Sequence, residues 1–388
     1  VGQSTTEFDD WKVRVTDANG KMKVLEKDAF GRLVKVNELN NGDTYTTEYS
    51  YDPLGNLIKL VDALGNEREF DYDGLSRRLL AEDLHDSEDE TFGVWEYKYD
   101  SVGNLIERID AEGQVITYQY DVLNRLIAED LGDDNVLEAT FMYDNCLAGV
   151  GRLCSSVNSS LETAHEYNVL GQISKETKSI GTEEFVTEYA YDRQGQVILQ
   201  TNPDLSQVKY EYNIGGAIES VKTKETTAGN FENVVNDIDY APTGDVIFVS
   251  FDNGTETVNT YDPAQLYRLV SKRTSSATSQ RGQYLQDLRY TYDAVGNIVN
   301  ISDGNYLGTA RSAVYSYDDL HRLVSSSILY SNSNEPINHT YEYDAIGNIT
   351  YKSDVGSYYY DGSAGQSFAN PHAVTQVRSS NGSAYYAY

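Results

Sequence analysis

Four aspartates, Asp52, Asp100, Asp293 and Asp344, each follow a tyrosine directly and stand three residues before a glycine. Carboxylates at fixed spacing can serve as acid–base pairs for glycoside hydrolysis, as ligands for a hard cation, or as turn formers that accept backbone N–H groups. Acids are abundant, 61 against 30 basic residues, yet no pair is singled out as a hydrolytic constellation. The twelve-residue spacing of a calcium loop with its terminal glutamate is absent. His85, His165, His321, His339 and His372 are scattered, with no His-x-x-x-His, no Cys-x-x-Cys, no Gly-x-Ser-x-Gly and no glycine-rich phosphate loop. His165 takes an aromatic position beside Tyr167, and His372 follows Pro371 in a turn, so both read as structural. Cys146 and Cys154 flank a glycine-containing loop short enough for their Cα atoms to approach bridging distance, and two thiols in a reducing compartment are the alternative. The expectation is a protein with no catalytic centre, no cofactor and no specific metal site.

The elements that position these aspartates are repeats. The clearest copies run Tyr49-Ser-Tyr51-Asp52-Pro-Leu-Gly55-Asn56, Tyr97-Lys-Tyr99-Asp100-Ser-Val-Gly103-Asn104, Tyr290-Thr-Tyr292-Asp293-Ala-Val-Gly296-Asn297 and Tyr341-Glu-Tyr343-Asp344-Ala-Ile-Gly347-Asn348, each followed by aliphatic residues. Weaker copies include Tyr72-Asp73, Tyr120-Asp121, Tyr167-Asn168, Tyr240-Ala241 and Tyr360-Asp361. Rings at i and i+2 share one face of an extended strand. Asp-x-x-Gly then closes a type I hairpin with a bulge, and the aliphatic residues begin the return strand. Turns without tyrosine, such as Asp17-Ala-Asn-Gly20 and Asp62-Ala-Leu-Gly65, complete the pattern. Three stretches, Ala81–Glu90, Ser271–Gln280 and Leu329–Pro336, read as exposed polar hairpin tips. About two strands per unit over some fourteen units give roughly 28 antiparallel strands, far more than the ~10 to 15 that an open sheet sustains without curling or splitting. Strand twist of one hand should coil such a ribbon into a spiral.

Composition agrees with this and removes other classes. There are 33 tyrosines but only two methionines and six prolines, a strand-like apolar content. The net charge of −31 excludes an unassisted nucleic-acid or anionic-membrane surface, because both need clustered lysine and arginine. No apolar run is long enough for membrane insertion by a helix. Residues 1–388 are expected to form one continuous all-β array, a segment of something longer, with no internal domain boundary.

The Tyr-Asp-x-x-Gly-Asn copies resemble the YD repeat of Rhs-repeat proteins, a family that includes bacterial Rhs polymorphic toxins, the B and C components of insecticidal Tc toxins, and animal teneurins. Tyr143–Cys154 and the Asn370-Pro-His-Ala-Val-Thr375 segment fit the bacterial members. The resemblance implies a hollow β-sheet spiral that encloses a C-terminal toxic polypeptide of the same chain, outside these residues, with delivery-machinery proteins or a cell-surface glycan as further partners. It also implies a secreted or cell-surface product, which favours a Cys146–Cys154 disulfide. The aspartate-rich, self-cleaving core that ends the shells of toxin-releasing members has no counterpart before Tyr388, so no protease residues are assigned. The rival reading is a teneurin-like extracellular adhesion or glycan-binding module.

Overall fold

The computed structural model describes residues 2–87, 92–132, 136–278, 283–304, 311–360, 370–380 and 382–386. Among them lie 33 strands, numbered β1 to β33 along the chain, and one short 3₁₀ turn at Pro263–Gln265. Every strand pairs antiparallel with the next in sequence, so the whole is one meander of hairpins. Alternation of side chains gives its two faces different chemistry. In β9 (Val94–Tyr99), Trp95, Tyr97 and Tyr99 are half-buried on one face while Glu96 and Lys98 are exposed on the other. Cross-strand ion pairs ladder the charged face, as between Lys59 and Glu67 (2.6 Å) or Glu69 (2.8 Å).

Because each strand reverses the chain, successive hairpin turns alternate between the two edges of the sheet. The Tyr-Asp turns all follow odd-numbered strands and therefore line one rim. Most turns without the tyrosine line the other, while the Asp28–Gly31 turn after β3 (Met22–Lys27) shares the tyrosine rim. Contacts between residues about 300 apart show what the ribbon then does. Asn19 Nδ2 donates to Asp293 Oδ2 (2.8 Å), and the Ala294 N–H donates to Asn19 Oδ1 (3.2 Å). The Asp319 N–H donates to Asn40 Oδ1 (3.1 Å), and Ile346 shares a crevice with Ala63. The first contact joins the turn between β2 (Lys12–Thr16) and β3 (Met22–Lys27) to the turn between β25 (Gln286–Tyr292) and β26 (Ile298–Asp303). The second joins the turn between β4 (Leu33–Asn40) and β5 (Asp43–Tyr51) to that between β27 (Arg311–Tyr317) and β28 (Leu323–Tyr330). The third joins β6 (Leu57–Val61) and β7 (Glu67–Tyr72) to β29 (Ile337–Tyr343) and β30 (Ile349–Lys352). In each case the offset is 23 strands. An odd offset is required, since only then does a tyrosine rim meet a tyrosine-free rim. At ~4.8 Å per strand, one circuit measures ~110 Å around and ~35 Å across.

The interior of this spiral is not filled by a core. Among the described residues the buried apolar side chains are only Ala81, Ala128, Cys154, Tyr167 and Ala313. The accessible surface is 23221 Å². A compact chain of 43.4 kDa exposes only ~15,000 Å², about two-thirds as much. Over the described residues the polypeptide is a single-layer wall, with neither face of the sheet covered by a second layer.

The polar spacers are shorter than the sequence suggests. Ala81 and Glu82 belong to β8 (Arg78–Glu82), and Ala81 is fully buried. His85 is buried too, exchanging backbone hydrogen bonds with Glu67 (2.8 and 3.0 Å) and stacking on Phe92 at 3.8 Å. Ser271–Ser276 extend β24 (Arg268–Ser276) and pair with β25 up to Thr274, and Leu329 and Tyr330 end β28. Polar serines and threonines stay in the ladder because one face of this sheet is solvated throughout. Glu88, Asp89, Glu90, Ser279, Gln280 and Asp361 lie outside the described residues.

Candidate functional site

The recurring unit is the tyrosine-rim turn, best followed at Asp100. Its Oδ1 accepts the N–H groups of Val102 (3.0 Å), Gly103 (2.8 Å) and Asn104 (2.8 Å), and its Oδ2 accepts the Asn104 side-chain amide (2.9 Å). Gly103 takes φ +101°, a left-handed conformation that costs a side-chain-bearing residue strain. The ladder register slips between Leu105 and Glu107 on the return strand β10 (Leu105–Ile109), which is the bulge. Burial alone would raise the carboxyl pKa, but the bonds from Asn104, Val102 and Gly103 hold it below the ordinary value. Asp52, Asp293 and Asp344 make the same bonds to Asn56, Asn297 and Asn348, with Gly55, Gly296 and Gly347 at the equivalent glycine position. The carboxylates that looked chemically available are therefore occupied by turn geometry. The turn even survives without one: at Ala241 the backbone bonds to Asp245 (2.8 Å) and Gly244 (2.9 Å) remain.

The tyrosine before each aspartate ties one hairpin to the previous one. Tyr51 donates its hydroxyl hydrogen to Leu33 O (2.8 Å), Tyr292 to Leu269 O (2.6 Å) and Tyr343 to Leu323 O (2.9 Å). The acceptor in each case lies within the first two residues of the preceding return strand. Tyr99 instead lies under the Arg77 guanidinium, 5.0 Å from the ring centroid. Burial pushes the phenol pKa of Tyr99, Tyr292 and Tyr343 upward.

A second stitch was not apparent from the repeat. The residue after the left-handed turn position, which is glycine or, as at Ser76 and His321, another residue, is asparagine in the clearest copies and arginine in others, and the arginine reaches the next turn along the rim. Arg32 pairs with its own Asp28 (2.7 Å), donates to Asp52 O (2.9 Å) and lies over Tyr51. Arg322 does the same with Asp318, Asp344 O (2.8 Å) and Tyr343. The long polar residue recurring at that position was the available signal. Near the C-terminal end, Asn348 donates to Pro371 O (2.9 Å) and contacts His372 Nδ1 (2.7 Å), which docks the Asn370–Thr375 segment on the Tyr343 turn.

Cys146 and Cys154 are joined by a disulfide, Cα–Cα 5.4 Å, in a tyrosine turn that is enlarged into a loop. Where the coil meets itself, the seam is polar: Asp319 receives Lys21 and the Asn41 N–H (3.0 Å), and His321 Nε2 lies 2.7 Å from Asp17 Oδ2. Among the described residues no group of three or more His, Cys, Asp or Glu side chains could hold a metal ion. No helix among them is long and apolar enough to cross a membrane. Together these contacts hold neighbouring hairpins and successive circuits in register.

The RHS Repeat family model matches residues 28–67 and 99–136. The toxin subunit YenC1 of Yersinia entomophaga is 27% identical over 206 residues, covering 50% of this chain and 21% of its own length. YenC2 of the same organism is 28% identical over 158 residues, 38% of this chain and 16% of its own. The crystal structure of TcdB2–TccC3 superposes with a TM-score of 0.79 at 19% identity, over 90% of this chain and 21% of that one. The Photorhabdus luminescens Tc holotoxin pore gives 0.76 at 18% identity, over 92% and 21%. Those structures establish likeness of fold, and this chain spans about a fifth of the length of the relatives it matches. With the tyrosine turns, the hairpin sheet and these matches together, the chain carries RHS repeats and is similar to the Rhs/YD-repeat subunits of Tc toxins.

Proposed function

We propose that residues 1–388 are one continuous, non-catalytic stretch of the wall of a secreted protein shell, which encloses a toxic polypeptide carried further along the same product. The observation that carries this reading is the single-layer coil, whose surface of 23221 Å² is about half again that of a compact chain of its mass. A sheet that leaves both faces open and closes on itself every 23 strands is an expensive way to build a binding platform and an economical way to bound a space. The turn aspartates support the non-catalytic part, because their carboxylates are taken up by backbone N–H groups. The Cys146–Cys154 disulfide supports an extracellular destination. Relatives include toxin subunits, and a TcdB2–TccC3 assembly shares the fold, which supports companion shell or delivery proteins as partners.

The test is limited proteolysis of the native secreted product that contains this chain, followed by size-exclusion chromatography and mass spectrometry. A downstream polypeptide that resists digestion and co-elutes with the wall after being severed from it is the expected result. Rapid digestion of everything downstream would overturn encapsulation and leave the adhesive-module reading.

A further inference from the structure

Asparagine followed by glycine is a dipeptide prone to lose its side-chain amide, because a glycine nitrogen has no Cβ beside it and reaches the asparagine carbonyl unhindered. The chain has four such pairs, beginning at Asn19, Asn41, Asn253 and Asn381. Asn19 is set apart by what its side chain does. It forms the contact between circuits, its Nδ2 donating to Asp293 Oδ2 (2.8 Å) and its Oδ1 accepting the Ala294 N–H (3.2 Å). The Gly20 N–H is held as well, donating to Asp17 O (3.0 Å). The amide that would leave, the carbonyl that would be attacked and the nitrogen that would attack are all engaged while the seam is closed. Opening the seam breaks both side-chain bonds and frees the amide to turn toward Gly20. These groups belong to two circuits that are both present, so their engagement does not depend on what precedes or follows residues 1–388.

We propose that Asn19 is a deamidation site gated by the seam, and that its product holds the seam open. In the first step the Gly20 nitrogen gives its proton to hydroxide and bonds to Asn19 Cγ. The Cγ–Nδ2 bond breaks, and the leaving nitrogen takes up a proton from water and departs as ammonia. Water then opens the resulting cyclic imide at either carbonyl, leaving aspartate or isoaspartate at position 19. Both products put a carboxylate where an amide donor faced Asp293. Burial alone would raise the Asp293 pKa, but the Asn19 and Asn297 amides and the turn N–H groups hold it below the ordinary value, so that carboxyl is ionised at neutral pH. Two carboxylates at the former hydrogen-bonding distance repel, and isoaspartate also lengthens the turn backbone by one carbon. The reaction runs in one direction. It converts a seam that opens and recloses into one that stays open, an ageing step built into the wall.

The experiment follows amide-to-acid conversion by peptide-mapping mass spectrometry in the native chain, held in mildly alkaline buffer at physiological temperature, beside the seam variant Asp319→Ala. Asp319 accepts the Asn41 N–H (3.0 Å) and pairs with Lys21, so its loss loosens the same seam without altering the Asn19-Gly20 pair. Asn253 is the internal reference, because the Thr255 N–H (2.9 Å) and hydroxyl (2.7 Å) hold its side chain within its own turn. Expected is an Asn19 rate that rises about 5- to 150-fold in the variant, the factor by which its seam opens more often, with the Asn253 rate unchanged. Unchanged circular dichroism and melting temperature show that the rise is not one of global unfolding. The second arm installs the product directly as Asn19→Asp, in which hydrogen exchange of the Ala294 amide should quicken by at least about tenfold. An Asn19 rate that is equal in wild type and Asp319→Ala, or that rises only together with Asn253, overturns the gating. Ala294 exchange as slow in Asn19→Asp as in wild type overturns the opening of the seam by the product. The inference rests on the seam and not on any enclosed polypeptide, so its failure and the failure of encapsulation are separable.

Discussion

Replacing Asp319 with alanine strikes the seam without touching a strand. The carboxylate accepts the Asn41 N–H (3.0 Å) and pairs with Lys21, residues that lie almost 300 positions earlier in the chain. The side chains of Lys21 and Asp319 are 38% and 25% exposed, so the ion pair itself contributes only ~0.2 to 1 kcal/mol. Loss of a charged acceptor for a backbone N–H adds ~1 to 2 kcal/mol at a part-exposed site. The seam should weaken by ~1 to 3 kcal/mol, which corresponds to a ~5- to 150-fold change in an opening equilibrium. Because the ladder from β1 to β33 is unbroken by the substitution, global unfolding should move little. The effect belongs in local opening, read as hydrogen exchange of the Asn41 and Ala294 amides, the latter bonded to Asn19 Oδ1 across the same seam. The Asp319 pKa is lowered in the folded chain, by the Lys21 bond first and then by the Asn41 N–H. A lowered pKa supplies stability that is complete above the unfolded carboxyl value of ~3.9 and is lost as pH falls below it. The difference between wild type and variant should be full at neutral pH and shrink on acidification through that range. Equal exchange at Asn41 and Ala294 in the two proteins at neutral pH, or a difference that persists unchanged in acid, would refute the assignment of Asp319 as a seam anchor.

Three further outcomes follow from the unit itself. Gly103→Val should destabilise the chain by ~1 to 3 kcal/mol in chemical denaturation, and Gly103→Asn by much less, because a Cβ at that position meets nothing within 4 Å and the cost is backbone strain at φ +101°. Tyr343→Phe should cost ~0.5 to 1.5 kcal/mol by removing the bond to Leu323 O (2.9 Å), with faster exchange confined to the hairpins on either side; a stabilised variant would contradict the stitch. Lys222, Lys209 and Ser220, in that order, draw the Glu211 pKa down to about 2. Stability from Glu211 is thus complete above the usual glutamate range and lost as pH falls from ~4.5 toward about 2, and Glu211→Gln should flatten the melting-temperature profile across that window.

The local half of this architecture was written in the residues. Tyrosine at i and i+2, aspartate, then glycine three positions on gives a strand, a turn and a return strand wherever it occurs, and those are local rules of pleat and dihedral angle. Even the copies with Asn168 or Ala241 in place of aspartate form the turn, since backbone geometry and glycine suffice. The sequence signals for strand ends were weaker where polar residues continue the ladder, as at Ser271–Ser276, because on a sheet with one solvated face polarity does not mark a loop. The coil period was not legible. Twist fixes the hand of the spiral but not its width, and the 23-strand circuit is selected by pairs such as Asn19 with Asp293 and Lys21 with Asp319, which no local pattern joins. The arginine stitches lay between these limits. Arg32, Arg77 and Arg322 vary from the asparagine of the strongest copies, and only their geometry shows that they hold the next turn.

Small-angle X-ray scattering of the isolated chain tests most directly whether the ribbon closes on itself. A wall ~35 Å across with successive circuits stacked predicts a radius of gyration of ~23 Å at low concentration. The same 33 strands laid side by side as an open ribbon would extend ~160 Å and give ~45 Å, a result that would contradict the coiled wall and the enclosure argued from it.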